Sequence, residues 1–389
     1  MAAAHARAGD DFDALIARFD PSALRVPHDR ALVRLVGGDG AECDVIVRAN
    51  GARRAAGRSY ARPDAVLSAG TQTWAKLGRD LSTGMAAYRS GHLRIKGSLH
   101  IGVGFLAATA AAPEATRLRM LQTKTRLGTV STLVAGAGPP VLMLHGLGAT
   151  KASFLPTVAA LAPRHRCIAI DLPGFGDSDK PLFASYNPAF FARWITALLD
   201  SMDIDRADVI GHSMGGRAAI ELGLRHPDRV DRLALMMPSL AWRRNREWAA
   251  LLRLVRPELG MLQITPRPVV ERFMDWLIPE GENHWVATAK DEFLRSFLTP
   301  SGRAAFYAAG RHIYLEAPEG PHGFWPRLRE LSVRSMFIWG RQDRLVPRAF
   351  RRHVAEMVPA ARHVELNCGH VPQLEAPREL HEAIERFLG

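Results

Sequence analysis

Apolar positions follow two rhythms, and the change falls near Leu118. Phe12, Leu15, Ile16 and Phe19 recur at helical spacing, predicting an amphipathic opening helix that stops at Asp20-Pro21. Ala31–Val36 and Cys43–Arg48 read as strands about the turn Gly37-Gly38-Asp39-Gly40, and Asp64–Ser68 as a third. A helical stretch around Trp74, Leu77 and Leu81, broken at Gly84, comes next. Then Leu93, Ile95, Leu99, Ile101, Val103 and Phe105 alternate with Arg94, Lys96, Ser98 and His100. Period two predicts strands with one covered face, turning at Gly97-Ser98.

From Leu118 onward strands alternate with helices, the pattern of a mostly parallel sheet. Met120–Leu127 and Thr129–Val134 predict an opening hairpin at Gly128. Mainly apolar runs without alternation follow at Val141–Leu144, Cys167–Ile170, Ala207–Ile210, Leu233–Met237, Met336–Trp339 and Val364–Leu366, interrupted only by Asp208 and Glu365, as expected of strands covered on both faces. Asn187-Pro188 caps a helix reaching Met202, and Arg378–Phe387 closes the chain as a helix. Residues 239–330 interrupt the rhythm and read as an inserted helical cap carrying Trp242, Trp248, Trp276, Trp285 and Trp325. The expected division is 1–110, a linker at 111–117 and 118–389, the linker being small-residue and Pro-interrupted.

Composition adds limits. A chain of 389 residues, 47% hydrophobic and 23% charged, suits a soluble protein of two domains. Its net charge of +12 comes from arginines scattered through both halves, without a basic tail or aromatic-interleaved stripe, which argues against nucleic acid as partner. Arg243, Arg244, Arg246, Arg253 and Arg256 form one local basic run, read as a solvated face. Cys43, Cys167 and Cys368 fit neither a disulfide framework nor a zinc site, so a reducing, cytoplasmic setting is expected. No signal peptide or transmembrane segment is read from the sequence, since the longest apolar stretch is Ile101–Ala112. Peripheral membrane contact stays open, and no metal or cofactor is expected.

In parallel sheets chemistry collects at the carboxyl ends of the strands. Those ends carry His145-Gly146-Leu147-Gly148, Gly211-His212-Ser213-Met214-Gly215-Gly216, Gly340-Arg341-Gln342-Asp343 and Asn367-Cys368-Gly369-His370. Strand, G-x-S-x-G and helix together predict a nucleophile elbow, with Gly211 and Gly215 small enough to let strand and helix approach around Ser213. The order is nucleophile, acid, base.

With Asp171–Ser178, Pro347, Val371-Pro372, Glu375 and Pro377, these motifs closely resemble the α/β-hydrolase family over residues 118–389. The resemblance implies a serine hydrolase: Ser213 as nucleophile, His370 as base, Asp343 orienting the imidazole, and the backbone N–H groups of Leu147 and Met214 as oxyanion hole. Asp171 and Asp177 would shape their own turn, His145 and His212 would support loops, Glu365 lies inside a strand, and Cys368 reads as a packed thiol.

The first 110 residues resemble the lipid-transfer domain of the type-two sterol carrier proteins. Asp64-Ala65-Val66-Leu67-Ser68, the Trp74-Leu77 helix and Ser90-Gly91-His92-Leu93-Arg94-Ile95-Lys96-Gly97-Ser98-Leu99 carry that likeness, which implies an apolar tunnel for a sterol or acyl chain. The expected fold class is therefore α/β: a capped, mostly parallel α/β-hydrolase sheet after a small α+β sterol-carrier-like domain. The expected activity is hydrolysis of an apolar or lipid-like carboxylic ester. Two alternatives are a carbon–carbon bond hydrolase with the same triad, disfavoured by Val371 and Leu374 where tryptophans are expected, and a non-catalytic lipid carrier.

Overall fold

A computed structural model describes residues 8–59, 61–79, 87, 90–110, 117–242, 256–262, 266–277 and 284–389. Residues 111–116 of the expected linker at 111–117, the region around Leu81 and Gly84, Trp248 and four of the five clustered arginines lie outside them. Two compact units are present: Met1–Gln122 with Leu133–Gly136 and Glu282–Glu292, and Thr123–Thr132 with Ala137–Gly281 and Phe293–Gly389. This differs from a division at 111–117, because the first unit runs on to Gln122 and takes in part of the expected cap.

The first unit holds a five-stranded sheet: β1 (Arg30–Gly37), β2 (Glu42–Arg48), β3 (Gly51–Arg54), β4 (Ala65–Ala69) and β5 (Leu93–Gly97), in the order β3-β2-β1-β4-β5. Strand β3 had no signal in the apolar pattern, because Gly51-Ala52-Arg53-Arg54 has no alternation to read. β1 alternates as expected, with Ala31, Val33 and Leu35 buried. Phe12 meets Trp74 edge to face at 5.1 Å, and the Trp74 indole donates to the Val36 carbonyl at 2.9 Å.

The alternation after Gly97 does not continue as a strand. Leu99–Ala108 is a helix, with the Ser98 hydroxyl accepting from the Ile101 N–H as its N-cap. All ten residues are buried, so the run has no solvent face from which to read a helical period. His100, taken as polar and outward, turns inward to the Arg25 carbonyl at 2.7 Å. The strand-turn-strand expected across residues 90–99 is thus a strand followed by a capped helix.

The larger sheet has the order β13-β12-β11-β10-β8-β9-β7-β6, comprising β6 (Arg119–Thr125), β7 (Gly128–Ala135), β8 (Pro140–Leu144), β9 (Arg166–Ile170), β10 (Ala207–His212), β11 (Val230–Met236), β12 (Arg334–Gly340) and β13 (Arg362–Leu366). From β9 through β8, β10, β11 and β12 to β13 every neighbouring pair is parallel. β10 is buried along its whole length, Asp208 and His212 included, which is why it shows no alternation of apolar and polar positions. Helices Pro188–Ser201 and Pro377–Leu388 stand where caps and periodicity predict them, the first with Asn187 accepting from the Phe190 N–H. Among the described residues no helix is long and apolar enough to cross a membrane.

One buried acid in this sheet is in tension with its surroundings. Asp208 on β10 has an unpartnered Oδ1 and lies 3.7 Å from the Arg232 guanidinium, and burial pushes its carboxyl up to about 6. A raised carboxyl favours the folded state at low pH, and that contribution is lost as pH rises through 6. Asp208→Asn removes the charge. It should raise the unfolding midpoint at pH 7.5 by about 2 °C, the shift that roughly 1 kcal/mol gives in a large domain. The gain should vanish near pH 4; an equal gain at both pH values would rule out the charge as its cause.

Candidate active site

The elbow forms where β10 runs into the helix Met214–Arg225. Ser213 takes φ 51° and ψ −114°, a left-handed backbone that a side chain adopts only under constraint. Two hydrogen bonds hold it there, from the Ser213 N–H to the Met236 carbonyl at 2.9 Å and from the Ser239 N–H to the Ser213 carbonyl at 3.0 Å. Both flanking glycines are required by close approach. A Cβ on Gly215 would sit 2.1 Å from the Leu144 carbonyl oxygen, and one on Gly211 would sit 2.7 Å from the Gly215 carbonyl oxygen and the Gly216 Cα.

Three strand ends bring the expected polar residues together. The Ser213 hydroxyl lies 3.0 Å from His370 Nε2, and His370 Nδ1 lies 2.8 Å from Asp343 Oδ2. The other Asp343 oxygen accepts the N–H groups of Leu345 at 2.7 Å and Val346 at 3.0 Å. Burial alone would raise the Asp343 carboxyl; the His370 hydrogen bond and charge and these two N–H groups outweigh it, so the group is held below its ordinary value. Asp343 is therefore a carboxylate at neutral pH, able to accept from Nδ1–H and leave Nε2 free to take a proton.

The His145–Gly148 turn lies against Ser213, since a Cβ on Gly146 would stand 3.3 Å from the Ser213 Cβ. That places the segment carrying Leu147 beside Ser213, while Met214 opens the helix, where a backbone N–H has no partner within the helix. His145 and His212 act as neutral braces. His145 Nδ1–H donates to the Gly146 carbonyl at 2.8 Å and Nε2 accepts from the Leu172 N–H at 2.9 Å, while burial drives its imidazole down to about 4. His212 Nε2–H donates to the His370 carbonyl at 2.7 Å, and burial followed by the neighbouring His370 lowers it to about 3.

Further supports were not read from the sequence. Glu375 accepts the N–H groups on both sides of His370, from Gly369 and Val371, each at 2.7 Å. Arg217, one turn beyond Ser213, is buried and donates to Glu316 at 2.8 Å and Glu221 at 3.0 Å. Ser239, past the end of β11, has its hydroxyl 3.3 Å from the Ser213 hydroxyl. The available signal for Ser239 was a hydroxyl just beyond the strand next to the elbow. Asp171 serves its turn as expected, its Oδ1 accepting the Lys151 N–H and its Oδ2 the Asp177 N–H, at 2.8 and 2.9 Å. Asp177 pairs with Arg295 at 3.0 Å, and Glu365 with Arg351 at 2.6 Å. Cys368 is buried, and its thiol is pushed up to about 12, chiefly by desolvation, so it is a packed thiol.

Phenylalanines pack against the turn that carries Leu147. A Cβ on Gly148 would fall 2.1 Å from Phe293, which belongs to a cluster with Phe297, Phe306 and Tyr307. Trp325 instead is fully buried, packing on Phe350 and donating to the Ala241 carbonyl at 3.0 Å; Trp242 also packs on Phe350.

Comparison with known proteins agrees with this fold. A model of the family described as alpha/beta hydrolase fold matches residues 139–301. Over 267 residues the chain is 31% identical to the pimeloyl-[acyl-carrier protein] methyl ester esterase of Aeromonas hydrophila, covering 67% of this chain and 100% of that protein. The chain belongs to the α/β-hydrolase family. It is also 29% identical, over 65% of its length and 88% of the relative's, to the 2-hydroxymuconate semialdehyde hydrolase of Pseudomonas sp. strain CF600. Among solved structures, the enol-lactonase of Burkholderia xenovorans LB400 superposes with a TM-score of 0.59 at 21% identity, covering 69% of this chain and 99% of that one, a likeness of fold. Relatives of this hydrolase thus include both an ester hydrolase and a hydrolase whose name places it on a semialdehyde.

Proposed function

We propose that this hydrolase cleaves a carboxylic ester of an apolar or lipid-like acid through an acyl-enzyme. The observation that carries the reading is the continuous relay from Ser213 to His370 to Asp343, at 3.0 and 2.8 Å. His370 Nε2 takes the hydroxyl proton as Ser213 Oγ attacks the acyl carbon. The oxyanion that forms is received by the N–H groups of Leu147 and Met214. His370 returns the proton to the departing alcohol, and water then repeats the cycle on the acyl-enzyme. Asp343 keeps the imidazole in the Nδ1–H tautomer and stabilises the imidazolium.

The apolar acyl group is supported by Phe293 against Gly148 and by the packed rings of Phe297 and Phe306 beyond it. For residues 1–110 the proposal is a lipid- or sterol-binding role, resting on the sequence motifs at 64–68 and 90–99. The helix found at Leu99–Ala108 alters the second of these. A cytoplasmic location is proposed from the three buried, unpaired cysteines.

A second reading, carbon–carbon bond hydrolysis, is favoured by the semialdehyde hydrolase among the relatives. Two assays separate the readings. A fluorophosphonate should label Ser213 and no other residue; absence of labelling there would sink both enzymatic readings in favour of a carrier. Among substrates, p-nitrophenyl esters should be turned over with kcat/KM rising from acetate to octanoate. Faster cleavage of 2-hydroxy-6-oxo-6-phenylhexa-2,4-dienoate than of any ester would overturn the esterase assignment.

A further inference from the structure

Ser213 carries one hydroxyl hydrogen and two lone pairs, which limits what its neighbours can do. His370 Nδ1 faces the Asp343 carboxylate and must carry the proton there, so Nε2 is an acceptor and the Ser213 hydrogen is committed to it. The second hydroxyl near Ser213 Oγ, that of Ser239 at 3.3 Å, can then only donate. The direction O–H from Ser239 to a lone pair of Ser213 Oγ follows from the relay itself.

The segment that presents Ser239 is held from both sides. Met237 takes φ 40°, a left-handed backbone for a side chain with a long stem, and its N–H donates to the Ile338 carbonyl at 2.9 Å. Pro238 lies against the helix that follows the elbow, where a Cβ on Gly216 would meet it at 2.9 Å. The Ser239 N–H then donates to the Ser213 carbonyl at 3.0 Å. A strained turn at the end of β11 is thereby tied to the strained elbow at the end of β10, and the hydroxyl arrives beside the nucleophile on a fixed backbone.

Resting on the serine-hydrolase reading above, we propose that Ser239 is a positioning residue whose hydroxyl donates to Ser213 Oγ, holding it toward His370 and steadying it as its proton leaves. The resting distance of 3.3 Å is long for an O–H···O bond, which normally lies between about 2.5 and 3.0 Å. Such a contact shortens when the acceptor gains charge, so the bond is strongest as the Ser213 oxygen becomes alkoxide-like. Once Oγ is an ester oxygen it is a poorer acceptor, and the Ser239 hydroxyl relaxes. When the acyl-enzyme is hydrolysed, Oγ departs with growing negative charge and the bond reforms. The device therefore acts on acylation and deacylation and leaves substrate affinity alone.

The test exploits the fact that a side-chain substitution leaves the Ser239 backbone N–H in place. Ser239→Ala should label with fluorophosphonate at Ser213 about tenfold more slowly than the native enzyme, the loss expected for one hydrogen bond made in the transition state. Its kcat on a p-nitrophenyl ester should fall in parallel with KM unchanged. Ser239→Thr, which keeps the hydroxyl, should restore both rates; this rescue separates positioning from packing. Labelling of Ser239→Ala at the native rate would overturn the proposal, as would a raised KM with unchanged kcat. Should Ser239→Ala fail to fold, Ser239→Cys, close in size but a weak donor, must show the same slowed labelling. If the native protein is not labelled at Ser213, the serine-hydrolase reading fails and this proposal with it, an outcome distinct from native labelling that is insensitive to Ser239.

Discussion

Replacing Ser213 with alanine is expected to lower kcat on an activated ester about 10⁶-fold, by analogy with serine proteases, and to leave the folded structure intact. His370→Ala should do the same, and the double variant should cost little more than either, because the two act as one unit. The geometry supplies the reason: among the described residues, the base within hydrogen-bond reach of Ser213 Oγ is His370 Nε2, at 3.0 Å. Asp343→Asn should cost about 10⁴-fold, since an amide in that place favours the wrong imidazole tautomer. Two backbone N–H groups already point at Asp343 Oδ1, so the amide nitrogen is steered to the other position, facing His370. Steady-state turnover with matched circular-dichroism melts checks the set. A Ser213→Ala protein retaining more than a hundredth of native activity would remove Ser213 from the nucleophile role.

The second large effect concerns stability. Lys151 and Asp171 form an ion pair of 2.6 Å with side chains 2% and 0% exposed. Burial by itself would raise the Asp171 carboxyl; the charge of Lys151 outweighs this with help from the Asp177 N–H, and the group stays below its ordinary value. Lys151→Met strands that carboxylate in the interior and should cost about 3–5 kcal/mol in unfolding free energy, the usual effect of removing one partner of a buried pair. The double variant Lys151→Met with Asp171→Leu should recover part of the loss, because no charge is left unpaired. Urea unfolding of the three proteins measures this. A Lys151→Met protein within 1 kcal/mol of native would mean that water reaches the pair. Asp171 also receives two backbone N–H groups from its own turn and its neighbour, so the single variant should loosen the 171–178 loop as well.

Local chemistry made much of this molecule legible before any fold was known. The elbow is a local object: a buried strand, small residues on either side of Ser213, and a helix, all within nineteen residues from Ala207 to Arg225. Asp343 and His370 could be named because the apolar run of β12 and the shorter, part-buried Val364–Leu366 segment of β13 are each followed within a few residues by polar groups beyond the carboxyl edge. Residues 239–330 were legible as an interruption in that rhythm, and helices stand in this segment at Arg267–Leu277, His284–Phe297 and Pro300–Leu315.

What was not legible depends on residues distant in sequence, or on burial that erases a period. Leu99–Ala108 is buried on every side, so its apolar positions fit a strand as well as a helix, and only the Ser98 cap and the surrounding packing decide between them. Arg217 reads as one more surface arginine until Glu316, 99 residues away, arrives to pair with it. Ser239 and Glu375 acquire meaning only when β11 lies beside β10 and the turn after β13 folds back around His370. The sequence by itself determined which groups are candidates for the chemistry, because Ser213, Asp343 and His370 follow the ends of recognisable strands. Tertiary structure alone decided what holds them in line, because the supporting hydrogen bonds join segments that only the sheet order makes neighbours.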